Sequence, residues 1–197
     1  MPQFIAIKGR TGGADSWGVY PGTSTGYGGQ YRLKLNETSS AAATAIYWDN
    51  TDATSSVFTV TGGSGQVGEL GVNYVAYCWA EVAGYSKIGR YTGNGSTDGS
   101  FVWCGFKPAF VLVKRTDSTS QWSIFDNKRE GYNVDNDVLV VNTAAAETTT
   151  DYLDLLSNGF KARTTDANVN ASGGTYIFMA IAEHPFGGSS VAPVPAR

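Results

Sequence analysis

The chain of 197 residues is poor in the groups on which most enzymes and metal proteins depend: one histidine, two cysteines, two methionines and only 16% charged positions. With His184 as the sole imidazole, a Ser-His-Asp triad, a Cys-His dyad or a zinc site would have to be assembled around one residue. His184 therefore reads as a surface or packing residue. Cys78 and Cys104 are too few for a disulfide framework and lack metal-ligand spacing, so each reads as a small buried thiol. Positive charge is also scarce. A formal charge of −3 and an isoelectric point near 5.1 offer no attraction to nucleic acid or anionic membranes. No apolar run reaches the length of a membrane span, and Met1–Lys8 enters an alternating strand pattern at once, without the pattern of a signal peptide.

What the chain has in quantity is glycine, 25 residues, together with serine, threonine and aromatics. That balance excludes coiled coils and helical bundles and favours strands joined by many turns. Self-comparison reveals a repeat. Pro2-Gln3-Phe4-Ile5-Ala6-Ile7-Lys8 returns as Pro108-Ala109-Phe110-Val111-Leu112-Val113-Lys114, and Trp17-Gly18-Val19-Tyr20 as Trp122-Ser123-Ile124-Phe125. Leu33-Lys34-Leu35-Asn36 meets Leu139-Val140-Val141-Asn142, and Ser56–Val60 meets Asn158–Ala162. Asn73–Glu81 then meets Thr175–Glu183 without a gap, both ending in Ala-Glu. Collinear blocks at a period of about 105 residues indicate a tandem duplication.

The expected fold is all-β, with two tandemly duplicated antiparallel β-sandwich units of jelly-roll or concanavalin-like type. The first spans 1–83; the second spans 84–197, with an opening hairpin at 84–106 and a short C-terminal tail. Because the first copy lacks that hairpin, it is expected to leave a sheet edge open to association. The alanine-rich runs Ser39–Thr44 and Thr143–Thr148 are the places where a helical turn is expected.

Few residues suggest chemistry. Glu81 and Glu183 sit at equivalent strand ends, as duplication requires, rather than as a glycosidase pair. The acidic loops Asp49–Asp52 and Asp135–Asp137 lack calcium-loop spacing, and the glycine-rich stretches lack the lysine of a phosphate loop. The glycosylation patterns at Asn36, Asn94 and Asn170 are attributed to the abundance of Ser and Thr. Aromatics near turns remain. Trp17 and Trp122 recur as core residues would, whereas Tyr27, Trp48 and Tyr132 are the candidates for stacking on sugar rings at a shallow glycan site.

The strings Lys87–Ser96, Gly105–Arg115, Leu156–Lys161 and Tyr176–Glu183, in that order, resemble a repeat domain of tail-fibre and other appendage proteins of tailed bacteriophages. The resemblance is strong across 84–186 and looser across 2–82. It implies a concanavalin-like β-sandwich and a non-enzymatic virion protein, a structural subunit of a tail fibre or other surface appendage. The alternative is a carbohydrate-binding module attaching the particle to host glycans. Implied partners are further copies of the chain, with a trimer favoured, and other virion proteins, after assembly in the host cytoplasm. No catalytic residue, cofactor or metal ligand is implied.

Overall fold

The computed structural model describes residues 1–11, 16–62, 67–129, 133 and 135–186. It is all-β, and the chain divides into two compact units, Met1–Ala80 and Glu81–Arg197. The division falls between Ala80 and Glu81 rather than between Ala83 and Gly84. Among the described residues no helix is long and apolar enough to cross a membrane.

The first unit contains β1 (Pro2–Gly9), β2 (Gly18–Tyr20), β3 (Tyr31–Lys34), β4 (Ala42–Ala43) and β5 (Tyr74–Ala80). They form one antiparallel sheet in the order β4-β3-β2-β1-β5. Ile5 and Ile7, alternate residues of β1, fall on one face and build a core with Tyr20, Tyr47, Trp48, Ala53 and Val67. The last four lie on segment 44–73, which carries no strand among the described residues. Gly18 makes this cover possible: a Cβ there would stand 2.5 Å from Val67 Cγ1 and 2.9 Å from the Tyr47 ring.

The second unit contains β6 (Ser86–Thr92), β7 (Phe101–Trp103), β8 (Pro108–Arg115), β9 (Trp122–Asp126), β10 (Asp135–Val140), β11 (Thr148–Leu156), β12 (Gly159–Ala162) and β13 (Thr175–Ala182). Their order is β6-β13-β8-β9-β10-β11-β12-β7, a single sheet that curls nearly into a barrel. A register shift in the β10–β11 pairing, between Asp135 and Asp137, lies where the sheet turns over. Val111, Phe125 and Phe178 from one half share a core with Val102, Leu153 and Phe160 from the other. Phe160 meets Phe178 edge-on at 5.3 Å, and Tyr91 stacks on Tyr176 at 4.9 Å. The interior is sandwich-like, yet each unit holds one sheet rather than the expected pair.

The matched sequence blocks pair alike in the two units. Ile5 opposes Cys78 and Tyr20; Val111 opposes Ala180 and Phe125. Val19 opposes Leu33 as Ile124 opposes Leu139. The register shift that brings Pro2 against Ala80 recurs where Pro108 meets Ala182. Side-chain bonds repeat too: Asn36 Oδ1 accepts from Trp17 N, and Asn142 Oδ1 from Trp122 N, both at 2.8 Å.

Other expectations fail locally. The alanine-rich runs are not helical: Ala42–Ala43 is a strand, and the second run is a bend and an irregular stretch before β11. A single helical turn carries the full nucleation cost, whereas a neighbouring strand supplies ladder bonds immediately. Ser56–Val60 is not the strand that its counterpart β12 is, although Phe58 still packs on its core as Phe160 does. Among the described residues the first unit has no counterpart of β6 and β7. Ala180 on β13, flanked by β6 and β8, is 0% exposed, whereas Cys78 at the matching place on β5 is exposed and not the buried thiol expected.

Candidate functional site

Of the three expected glycan-stacking residues, Tyr27 and Trp48 are among the described residues. Trp48 is 1% exposed and packs edge-on against Tyr20 at 5.6 Å, so neither ring face is available; its expected surface role is corrected to core. Segment 44–73 covers the sheet face of the first unit with its bulkiest side chains, and sequence position near a turn could not reveal that. Tyr27 is half-buried, its ring edge-on to Tyr31 at 4.9 Å. Tyr132 lies outside the described residues. Of the expected core tryptophans, Trp122 is buried, while Trp17 is half-buried and stacks on Tyr77. Among the described residues the buried Trp48 Nε1 has no hydrogen-bond partner. Trp48→Phe, which removes that stranded donor at a modest loss of volume, is expected to keep stability within about 1 kcal/mol of wild type in urea unfolding.

The two matched glutamates each hold their own lysine: Glu81 with Lys87 and Glu183 with Lys107, both at 2.9 Å. Asn127 Nδ2 also donates to Glu183, and half-buried His184 stands 4.0 Å from it. Asp52 Oδ1 accepts from Gly29 N at 2.7 Å, which ties the 49–52 loop to the 28–30 segment rather than presenting a cation ligand. No three His, Cys, Asp or Glu side chains cluster as a metal site would require, among the described residues. Asn170 is fully buried and exchanges hydrogen bonds with Asn94, so this pair of glycosylation patterns forms a structural knot.

A concave site that motif reading missed lies in the second unit. It encloses about 460 Å³ and is lined by Glu81, Lys87, Trp103, Cys104, Phe106 and Asn158, among others. Such a volume falls in the range of small-molecule sites. Phe106 and Cys104 form its buried floor, and burial pushes the Cys104 thiol up to about 12, so it stays protonated and unreactive. Trp103, at the end of β7, is 58% exposed. Its six-membered ring lies against the bare backbone of Gly105, whose φ is +83°; a Cβ there would stand 3.1 Å from Trp103 Cζ2. Asn158, in the β11–β12 turn, uses its backbone carbonyl to accept from the Cys104 and Gly105 amides at 2.9 and 3.1 Å. Lys87 Nζ and Ile88 N both bond Glu81 Oε1. Among the described residues, Glu81 Oε2 and the Asn158 side-chain amide have no partner. The Trp103-Cys104-Gly105 run was visible in the sequence, but its closure against the Glu81–Lys87 turn and Asn158 is a product of the sheet order.

Neither a curated protein nor a solved structure matches the chain. Residues 1–185 match a domain of unknown function, DUF7483, and the chain belongs to that family.

Proposed function

We propose that the chain is a non-enzymatic structural subunit of a tailed-phage surface appendage, built by tandem duplication of one β-unit and assembled through the outer edge of β5. The repeated registers support the duplication, and the resemblance in sequence supports the virion role. One observation carries the assembly reading. On β13 the outer edge is occupied by β6, whereas β5, with the same registers toward its inner neighbour, ends its sheet and exposes Cys78. A strand at the end of a sheet, as β5 is, offers a backbone edge along which another strand can add. A neighbouring copy supplies that strand, which makes the contact repeatable by symmetry.

Cys78→Lys tests this reading, because a lysine beside the open edge obstructs strand addition while its long stem reaches solvent. Light scattering coupled to size exclusion is expected to give a defined homo-oligomer for wild type and for Cys78→Ser, and a folded monomer for Cys78→Lys. A wild-type chain that stays monomeric throughout a concentration series removes the basis of the proposal.

A further inference from the structure

We infer that the concave site beside Trp103 binds a neutral pyranose unit, with the sugar's C–H face on the indole and its hydroxyls on Glu81, Lys87 and Asn158. The inference concerns a single folded chain and stands whether or not the β5 edge drives assembly.

The ligand class follows from three properties of the site. First, the exposed indole is an apolar plate of fixed position. Gly105 leaves no Cβ beneath the ring, and the Asn158 carbonyl pins the Cys104 and Gly105 amides that carry it. Such a plate favours a flat, weakly polar C–H surface. Second, the rim is polar but electrically balanced, because the carboxylate of Glu81 and the ammonium of Lys87 neutralise each other at 2.9 Å. A phosphate or sulfate would meet Glu81, and a cationic ligand would meet Lys87, so an ion of either sign is disfavoured. Third, the unused hydrogen-bonding capacity is mixed. Glu81 Oε2 accepts, the Lys87 ammonium donates and the Asn158 amide does both. Vicinal hydroxyls, each donor and acceptor, match that set, and pyranosides join them to an apolar face. A peptide aromatic would cover Trp103 but leave these polar groups unmatched.

The site is shallow and the ligand small, so the expected dissociation constant for a monosaccharide is of order 1 mM. The experiment titrates the whole chain with methyl glycosides of glucose, galactose, mannose, rhamnose and N-acetylglucosamine to about 50 mM. It follows the Trp103 indole N–H by NMR, with the resonance assigned through Trp103→Phe. At least one glycoside is expected to shift that resonance saturably. Trp103→Ala is expected to weaken binding of the same glycoside more than tenfold, Lys87→Met severalfold, and Trp17→Ala not at all. Saturation transfer to the glycoside reports binding in the variant that lacks the indole. No saturable shift with any of the five, or undiminished saturation transfer in Trp103→Ala, would overturn the assignment.

Discussion

Asn170→Asp is expected to destabilise the second unit by about 4 kcal/mol or more at neutral pH, a very large effect for one substituted atom. The Asn170 side chain is 0% exposed. Its Nδ2 donates to Asn94 Oδ1 at 3.0 Å, Ser96 O at 2.7 Å and Thr164 O at 2.8 Å, while its Oδ1 accepts from Asn94 N at 3.0 Å. Gly95 N bonds the Asn170 carbonyl at 2.9 Å, so one residue ties the 94–98 turn to the strand-free segment 163–174. A carboxylate in that position would turn an oxygen lone pair toward three acceptor oxygens and bury its charge without a countercharge. Burial would raise its pKa above the unfolded value. The variant's native state would therefore hold a proton that its unfolded state has released. Its deficit is accordingly smallest below the unfolded pKa and grows as pH rises through the raised one. Asn170→Ala removes the bonds without adding charge and is expected to cost less, about 2–4 kcal/mol, with no such pH dependence. Urea unfolding at pH 4 and pH 7 separates these outcomes; an aspartate variant within 1 kcal/mol of wild type at pH 7 would refute the account.

Much of this fold was legible because β-pairing is encoded locally. Phe4–Ile7 in β1 and Val111–Val113 in β8 are short apolar runs buried at consecutive positions, the pattern of a strand covered on both faces. The copy-to-copy matches, Val19 with Ile124 and Leu33 with Leu139, fall at equivalent places in the two sheets, where Val19 opposes Leu33 and Ile124 opposes Leu139. What sequence could not convey was how each sheet face is covered. In the second unit the sheet itself folds over through β10, whereas in the first unit Tyr47 and Trp48 on an irregular segment fill the same role. This is why Trp48, beside a polar Asp-Asn turn, read as a surface aromatic. The Trp103 site escaped for a related reason. Its members lie at Glu81, Lys87, Trp103–Phe106 and Asn158, and no local period connects them; only the pairing of β7 with β12 brings the turn at Asn158 to the end of β7.

Lys114→Met is expected to abolish a pH dependence that sets wild type apart from almost any surface variant. Lys114 belongs to β8 and matches Lys8 of the first unit, yet Lys8 is half-exposed while Lys114 is 0% exposed. Its ammonium donates to Ser120 O at 2.5 Å and lies 6.0 Å from the centroid of the Trp122 ring. Burial lowers its pKa from 10.5 to about 8, since the charged form loses more hydration than these contacts return. A depressed lysine pKa means that between pH 8 and 10.5 the unfolded chain binds a proton that the native chain does not. Wild-type stability therefore gains with rising pH across that window, while below pH 8 both states are protonated and the cost of burying the charge is fully present. At about 1.4 kcal/mol per unit, the gain reaches roughly 2–3 kcal/mol by pH 10. Opposing contributions act there, because the raised pKa values of Cys104, Tyr91 and Tyr176 cost stability once their unfolded-state groups ionise. These groups are common to both proteins and cancel in the difference. The stability of wild type minus that of Lys114→Met, from urea unfolding at several pH values, is thus expected to be flat from pH 6 to 7.5 and to climb by about 2–3 kcal/mol between pH 8 and 10. A flat difference throughout would mean that the ammonium is as well solvated by Ser120 and Trp122 as by water.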